Sequence, residues 1–192
     1  MMENFRQLVL RNRSIRRFHQ DRKITRQELL ELVDLARHAA SGANIQPLKF
    51  LLSWEEEMNR RIFPKLHWAG YLEDWDGPEE GERPSGYVII LLDRRISGNS
   101  FQDQGIAAQT MLLGAANKGL GGCMIASIDR PELKRELSIE DDLDILLVVA
   151  LGAPGEKVVI EDAAGDIRYY RDDRGVHHVP KRKLEDLVIG LR

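Results

Sequence analysis

Two basic segments lie near opposite ends of the chain, and both carry the side chains that proteins use to bind phosphate. The first is residues 11–18, R-N-R-S-I-R-R-F, and the second is residues 181–183, K-R-K. Arginine and lysine donate charge-assisted hydrogen bonds to phosphate oxygens, and a serine hydroxyl adds a further donor. The candidate phosphate ligands are therefore Arg13, Ser14, Lys181 and Lys183. The two lysines share one face if their segment is extended. Taken alone, both segments also fit a solvated basic surface.

A polar turn at residues 41–46 carries a second set of groups suited to binding a ligand. Asn44 and Gln46 have amide side chains, which donate and accept hydrogen bonds and so suit the mixed edge of a heterocyclic ring. Ser41 and Gly42 are explained equally well as ordinary turn formers. Asn44 and Gln46 are therefore the stronger candidates for binding a ligand. Further along, the small residues of 119–127 would let the backbone approach a flat ring closely, although a plain helix C-cap explains the first glycine too.

Several common functional motifs are absent from the sequence. Residues 119–124 fail the dinucleotide-binding fingerprint because Met124 replaces its last glycine, and residues 114–119 have the glycine spacing of a P-loop without the following lysine. The five histidines have no zinc-like spacing with one another or with the single cysteine, so we interpret them as solvated or structural. Cys123 lies among apolar residues and is interpreted as a buried thiol. No residue stands out as a general acid or base, and we predict no metal site.

Length and composition are those of an ordinary globular chain. It has 192 residues, 28 basic and 31 acidic side chains, a formal charge of −3 and a sequence pI near 6.0. This length predicts one domain, and the weakly acidic charge argues against a dedicated nucleic-acid-binding protein. The single cysteine indicates a reducing compartment, no secretory signal is visible, and the longest apolar run, residues 145–151, is too short to span a bilayer. We therefore expect a cytoplasmic protein with no nucleic-acid or membrane partner.

Hydrophobic periodicity predicts alternating helices and strands around the candidate residues. The capping-box sequence T-R-Q-E at residues 25–28 predicts a helix that ends near residue 41. Residues 102–118 predict a helix that is apolar over most of its circumference, as in the centre of a fold or in a subunit interface. The apolar runs 87–92 and 145–151 predict buried strands. The other predicted helices are residues 4–11, 55–66, a helix capped by Asp129 and 183–191, and the other extended segments are 49–52, 123–126, 168–171 and 176–179.

Two segments are predicted to be loops. Residues 67–86 contain Trp68, Tyr71 and Trp75 among acids, glycines and prolines, which is typical of a long loop or lid. Their rings could stack on a flat substrate or equally form the core of the lid itself. Residues 153–166 are polar and rich in small residues, and they predict a second loop.

Six segments, in order along nearly the whole chain, resemble motifs of the nitroreductase family of FMN-dependent oxidoreductases. Each segment alone is a weak signal, whereas six in the family's order are specific. The segments are N-R-S-I-R-R-F at 12–18, S-G-A-N-I-Q-P-L-K-F at 41–50, Q-G-I-A-A-Q-T-M-L-L at 104–113, G-L-G-G-C-M-I at 119–125, L-G-A-P-G-E at 151–156 and H-V-P-K-R-K-L-E at 178–185. Asn12 departs from the family pattern and shifts phosphate binding towards Arg13 and the C-terminal lysines. Leu48, Met124 and Ser127 also depart from it, which affects substrate preference more than flavin binding.

The resemblance implies an α+β fold in which a mostly antiparallel central sheet is flanked by helices and two copies dimerise through the long central helix. It also implies one FMN-binding domain over residues 1–192, with 67–86 as a lid or loop and 167–192 as a C-terminal clamp. Arg16 would stabilise the anionic edge of the reduced flavin, and an ion pair with a carboxylate such as Asp21 is the alternative. The implied cofactor-binding residues are Arg13, Ser14, Arg16, Ser41, Ala43, Asn44, Gln46, Met124, Ile125, Ala126, Ser127, Lys181 and Lys183.

The activity implied by the resemblance is hydride transfer from NADH or NADPH, through the flavin N5, to a nitroaromatic, quinone or related small-molecule acceptor. Turnover would be ping-pong in a homodimer, with backbone amides around Ala126 and Ser127 near N5. A reductive dehalogenase or dehydrogenase is an alternative within the same fold. A flavin store or sensor without turnover is the alternative from another class, which sustained NAD(P)H oxidation would exclude. A non-flavin interaction module comes third, and a colourless preparation that cannot take up FMN would support it.

Overall fold

Helices and strands alternate along residues 4–190, which are the residues that the structure, a computed structural model, describes. The helices are α1 (Phe5–Arg11), α2 (Arg26–Arg37), α3 (Glu56–Ile62), α4 (Asp103–Asn117), α5 (Arg130–Glu136) and α6 (Leu184–Leu187). The strands are β1 (Phe18–His19), β2 (Leu48–Ser53), β3 (Gly86–Asp93), β4 (Gly121–Ile125), β5 (Leu143–Pro154), β6 (Val158–Asp162), β7 (Tyr170–Arg171) and β8 (His177–Lys181). The helices and strands predicted before residue 153 are all present, although α2 ends at Arg37 rather than near residue 41, and the helix predicted over 55–66 ends at Ile62.

The long strand β5 lies in the middle of a five-stranded sheet. On one edge it pairs with β3, and β2 pairs with β3 beyond it. On the other edge it pairs with β4 and, further along, with β1. Every pair in this sheet is antiparallel, and helices lie beside it, so the predicted α+β fold with a mostly antiparallel central sheet is confirmed.

Helices cover both faces of the sheet because successive residues of β3 point to opposite sides. Val88 and Ile90 belong to a buried cluster with residues of α2 and α4, such as Leu32 and Met111. Tyr87, Ile89 and Leu91 belong to a second buried cluster with residues of α3 and α5. The near-continuous apolar run of β3 therefore reflects burial on both faces.

The helices begin where the sequence predicts caps. At α2 the Thr25 hydroxyl accepts a hydrogen bond from the Glu28 N–H at 3.1 Å, and the Glu28 carboxylate accepts one from the Thr25 N–H at 2.7 Å. At α5 the Asp129 carboxylate accepts a hydrogen bond from the Glu132 N–H. These bonds satisfy donors that the first turn of a helix leaves free.

Helix α4 is buried on one side and open on the other. Its inward residues are Ala107, Ala108, Met111, Leu112, Ala115 and Ala116. The outward residues Gly105, Ile106 and Gln109 are exposed in this single chain. The helix therefore has an uncovered face, and its predicted role in dimerisation stays a prediction.

The C-terminal region departs from two predictions. The expected loop at residues 153–166 instead contains the end of β5 and all of β6, which pairs in parallel with β8 in a second, three-stranded sheet. The expected helix at residues 183–191 is a single turn, Leu184–Leu187, and residue 191 lies outside the described residues. Within residues 4–190 no helix is both long and apolar enough to cross a membrane.

Candidate functional site

A cavity of about 380 Å³ lies where the N-terminal segment, α4, β4 and β8 meet. Five of the predicted site residues line it, although they come from three distant parts of the chain. They are Arg13, Ser14, Arg16, Met124 and Lys181. The cavity wall also contains Gln109, Tyr169 and His177, which sequence reasoning did not predict as site residues.

A buried carboxylate and β4 hold the N-terminal wall in place. The Ile15 N–H donates to the Gly122 carbonyl at 3.0 Å, so this segment runs beside β4. Glu156, whose side chain is 2 % exposed, accepts hydrogen bonds from the backbone N–H groups of Arg16 and Arg17. Glu156 was part of a recognised motif, but only the three-dimensional structure shows that it fixes the backbone of the basic segment.

The alternation of β4 decides which of its residues reach the cavity. Cys123 and Ile125 are buried in the core cluster of α3 and α5, whereas Met124 is exposed and lines the cavity. The Ile125 side chain therefore belongs to the core. Burial also raises the pKa of the Cys123 thiol to about 12, which agrees with its interpretation as a structural thiol.

Ala126 and Ser127 follow β4 and do not line the cavity. The Ala126 carbonyl accepts a hydrogen bond from the Arg130 guanidinium at 3.1 Å, and the Ser127 carbonyl accepts one from the His67 N–H at 3.0 Å. These contacts fix the backbone that leaves β4. The predicted role of their backbone amides near a flavin stays a prediction.

The electrostatics of the cavity favour an anion. Arg13, Arg16 and Lys181 line it, and no aspartate or glutamate does. Burial lowers the pKa of Arg13, and its Nε atom is buried without a hydrogen-bond partner among the described residues. An anionic group bound beside Arg13 would offset the desolvation of its guanidinium.

Arg16 contacts two aromatic rings and forms no ion pair with Asp21. Its Nη1 lies 3.3 Å from Nε2 of His177, and its guanidinium lies 4.9 Å from the centre of the Tyr169 ring. His177 is completely buried, and burial lowers its pKa to about 4. The burial of His177 contrasts with the solvated alternative, and its contact with Arg16 was not predicted from the sequence.

The polar turn at residues 41–46 lies on a different cavity, of about 280 Å³, which shares no lining residue with the first. Ser41 Oγ donates to the Asp103 carboxylate at 2.7 Å and accepts a hydrogen bond from the Gln46 N–H at 2.9 Å. The Gln46 amide donates to the Asn44 side chain and carbonyl. Within one chain these predicted residues are therefore bonded to one another and to α4.

The backbone of this turn is unusual. Ala43, Asn44 and Gln46 all have positive φ angles, of 48°, 57° and 54°. Non-glycine residues rarely adopt this region, and such strain is often found at ligand-binding sites. The buried carboxylate of Asp103 holds the turn, because it also accepts the Gly42 N–H at 2.9 Å. Asp103 was not predicted from the sequence.

The remaining predicted side chains lie outside the cavity. Lys183 is the residue before α6, and because β8 ends at Lys181 the two lysines do not share a strand face. Trp68 is buried in the core cluster of α3 and α5, and Trp75 packs against that cluster and beneath the Arg171 guanidinium, which lies 4.2 Å from the centre of its ring. Tyr71 is half exposed and packs against Tyr169, with ring centres 4.9 Å apart. Among residues 4–190, no group of His, Cys, Asp and Glu side chains is arranged to hold a metal ion.

Comparisons with known proteins agree on one family. The model of the Nitroreductase family matches residues 9–153. A protein of Methanothermobacter thermautotrophicus named "Putative NADH dehydrogenase/NAD(P)H nitroreductase" is 30% identical over 151 residues, 75% of this chain and 74% of that protein. The solved structure of a nitroreductase family protein from Clostridium novyi NT has a TM-score of 0.65 at 22% identity, over 96% of this chain and 98% of that chain. An FMN-dependent nitroreductase from Clostridium difficile R20291 has a TM-score of 0.65 at 18% identity, over 83% and 91% of the two chains.

Proposed function

Because the chain belongs to the nitroreductase family, we propose that it is an FMN-dependent oxidoreductase that passes hydride from NADH or NADPH to a nitroaromatic, a quinone or a related acceptor. The observation that carries the proposal is the cavity with three cations and no carboxylate in its wall. One solved structure of this fold is an FMN-dependent nitroreductase, which supports the choice of cofactor. Bound FMN would supply the two-electron chemistry, and the protein would supply binding and orientation.

The side chains of the cavity fit the two ends of this cofactor. Arg13, Ser14 and Lys181, which line the cavity, would donate hydrogen bonds to the phosphate. Met124 offers an apolar surface for the ring system. Arg16 would stabilise the negative charge that the ring system carries after reduction.

The electron donor and acceptor would use the same open cavity in turn. The sequence has no dinucleotide-binding fingerprint that would mark a second nucleotide site. No aspartate or glutamate lines the cavity, and the buried His177 is neutral because burial lowers its pKa to about 4. Water would therefore supply the proton to the acceptor. This arrangement predicts ping-pong turnover.

A second copy of the chain would complete the site. Ser41 and Gln46 line a cavity that is separate from the one lined by Arg13 and its neighbours, and Ala43 and Asn44 belong to the same turn. We propose that the turn at residues 41–46 of one copy contributes to the FMN site of the other copy. The uncovered face of α4 supports such an association.

The first experiment identifies the cofactor. The purified protein is expected to be yellow and to release FMN on denaturation, as shown by chromatography against FMN and FAD standards. A protein that yields only FAD, or that takes up no flavin on reconstitution, would contradict the proposal.

Steady-state kinetics then separates an enzyme from a flavin store or sensor. We expect sustained NAD(P)H oxidation, with parallel double-reciprocal lines for NAD(P)H against a quinone and competitive inhibition by each substrate at high concentration. Intersecting lines would contradict the shared cavity. An FMN-loaded protein that does not turn over would support the store or sensor.

A further inference from the structure

The side chain of Arg16 is held at the cavity by groups that do not cancel its charge. Among the described residues its guanidinium contacts His177 at 3.3 Å and the face of Tyr169 at 4.9 Å, and no carboxylate pairs with it. The nearby carboxylate of Glu156 is already bound by the backbone N–H groups of Arg16 and Arg17 and by the Arg171 guanidinium, at 3.0 Å. The cation of Arg16 therefore faces the cavity without a counter-ion.

The chemistry of the contact determines the state of His177. An arginine side chain has five donors and no acceptor, so Nε2 of His177 must accept the hydrogen bond and the ring must be neutral, with its proton on Nδ1. Complete burial favours this neutral form, and so do the positive charges of Arg16 and Arg171 and the neighbouring His178, whereas Glu156 opposes it. A neutral acceptor orients the guanidinium but leaves its full charge in place, which a carboxylate partner would not do.

This tautomer places a proton on Nδ1 of His177, which is also buried. Nδ1 of His177 has no hydrogen-bond partner among the described residues, and an unpaired buried donor is costly. Of the two ring nitrogens, the protein therefore satisfies Nε2, through Arg16, but not Nδ1. A phenylalanine of similar shape would avoid that cost, but it would not accept a hydrogen bond from Arg16.

We propose that His177 is a positioning residue, which directs the Arg16 guanidinium into the cavity without neutralising it, so that the full positive charge stabilises the reduced flavin. This inference rests on the proposed FMN-dependent function. It goes beyond the family match, because His177 lies outside residues 9–153.

The test measures how much more tightly the protein binds reduced FMN than oxidised FMN, which sets the midpoint potential of the bound flavin. His177→Phe removes the acceptor, and we expect the preference for reduced FMN to fall about tenfold, or about 30 mV for a two-electron couple. Arg16→Ala should lower it at least as much. The double variant should match Arg16→Ala alone, because His177 acts through Arg16.

Two further variants control for structural damage. His177→Gln keeps a neutral acceptor and should retain a preference within about twofold of the wild type. His178→Phe changes the neighbouring residue on the opposite face of β8, where His178 contacts Glu161 at 3.0 Å, and should leave the potential unchanged. If His177→Phe does not fold, His177→Leu provides the same comparison with His177→Gln.

The outcomes are distinct. A folded, FMN-loaded His177→Phe with the wild-type potential, or independent and additive shifts for His177→Phe and Arg16→Ala, would overturn the positioning role alone. Equal shifts for His177→Gln and His177→Phe would overturn it as well. A wild-type protein that binds no FMN would overturn the proposed function before any variant is measured.

Discussion

At the scale of single residues, the cations of the cavity differ in how they are held. Arg16 is partly buried and fixed by His177 and Tyr169, whereas Lys181 is exposed at the end of β8. A fixed charge can act on the electronic state of a ligand, whereas an exposed lysine on a flexible stem serves mainly to attract and bind an anion.

This difference predicts opposite phenotypes for two alanine variants. Arg16→Ala should lower the midpoint potential of bound FMN with a smaller change in affinity for oxidised FMN. Lys181→Ala should weaken FMN binding by about 1.5–3 kcal/mol, the usual loss for a charge-assisted hydrogen bond, with little change in potential. Spectroelectrochemistry and fluorescence titration of the apoprotein measure the two quantities, and the reverse pattern would show that the roles are exchanged.

Two neighbouring histidines on opposite faces of β8 titrate in opposite directions. Burial lowers the pKa of His177 to about 4. Hydrogen bonds to the carboxylates of Glu161 and Asp172 raise the pKa of His178 above its usual value. His177 therefore contributes stability that is present above its unfolded pKa of about 6.5 and lost as the pH falls through about 4. His178 contributes stability that is present below about 6.5 and lost as the pH rises through its raised value.

Glutamine variants should separate these contributions. His178→Gln should lower the free energy of unfolding more at about pH 5 than at about pH 8, because only the charged imidazole gains from its two carboxylates. His177→Gln should lose less stability than the wild type when the pH falls from about 8 to about 5, because the variant has no buried imidazole that must take up a proton. Urea unfolding of both variants and the wild type at each pH provides the measurement. Parallel pH profiles for all three proteins would contradict both assignments.

Sequence reasoning found only some of the residues that build the cavity. Arg13, Ser14, Arg16, Met124 and Lys181 could be predicted because each lies in a short recognisable segment. The contact of Arg16 with His177 could not, since the two residues are 161 positions apart and neither segment indicates the other. Pairings of this kind are set by the topology of the sheets, which local patterns do not encode.

At the scale of secondary-structure elements, the turn at residues 41–46 depends on the first turn of α4. Three non-glycine residues of this turn have positive φ, which costs about 1 kcal/mol or more for each. The Asp103 carboxylate offsets this cost, because it accepts hydrogen bonds from Ser41 and from the Gly42 backbone.

Removal of that carboxylate should therefore destabilise the protein. Asp103→Ala leaves the Ser41 hydroxyl and the Gly42 N–H without their acceptor, and we expect a loss of about 1–3 kcal/mol in the free energy of unfolding. Asp103→Asn keeps one acceptor oxygen and should lose less. Urea unfolding measures both variants, and a wild-type midpoint for Asp103→Ala would contradict the role of Asp103.

Elements with strong local signals were predicted well, and those that depend on distant partners were not. The capping box of α2 and the apolar runs of β3 and β5 are visible within a few residues. Strand β6 was predicted as part of a loop, because it is a half-exposed edge strand flanked by glycines and alanines and its partner β8 follows later in the chain. The sequence around β6 alone therefore contains no sufficient signal.

At the scale of the whole molecule, the exposed apolar side chains predict association of two copies. Ile106 on the outer face of α4 is 40% exposed, and Phe101 just before the helix is 43% exposed. We expect a homodimer in sedimentation experiments at micromolar concentration, with loss of FMN when the dimer dissociates. Ile106→Glu should weaken the dimer, whereas Ile96→Glu, at a residue that is 44% exposed after β3, should not. A monomeric FMN-loaded protein would contradict the shared site.

The long stretch of chain between the N-terminal wall and β8 also determines when the cavity can exist during biosynthesis. The ribosome makes the N-terminal wall first and the wall of His177 and Lys181 much later. At about 5–20 residues per second, roughly 10–30 s separate the synthesis of Ser14 from that of Lys181. The cavity cannot close around a ligand in that interval, so FMN has to enter after β8 has been synthesised. Chains made in flavin-poor cells should consequently accumulate as apoprotein that free FMN can load after purification.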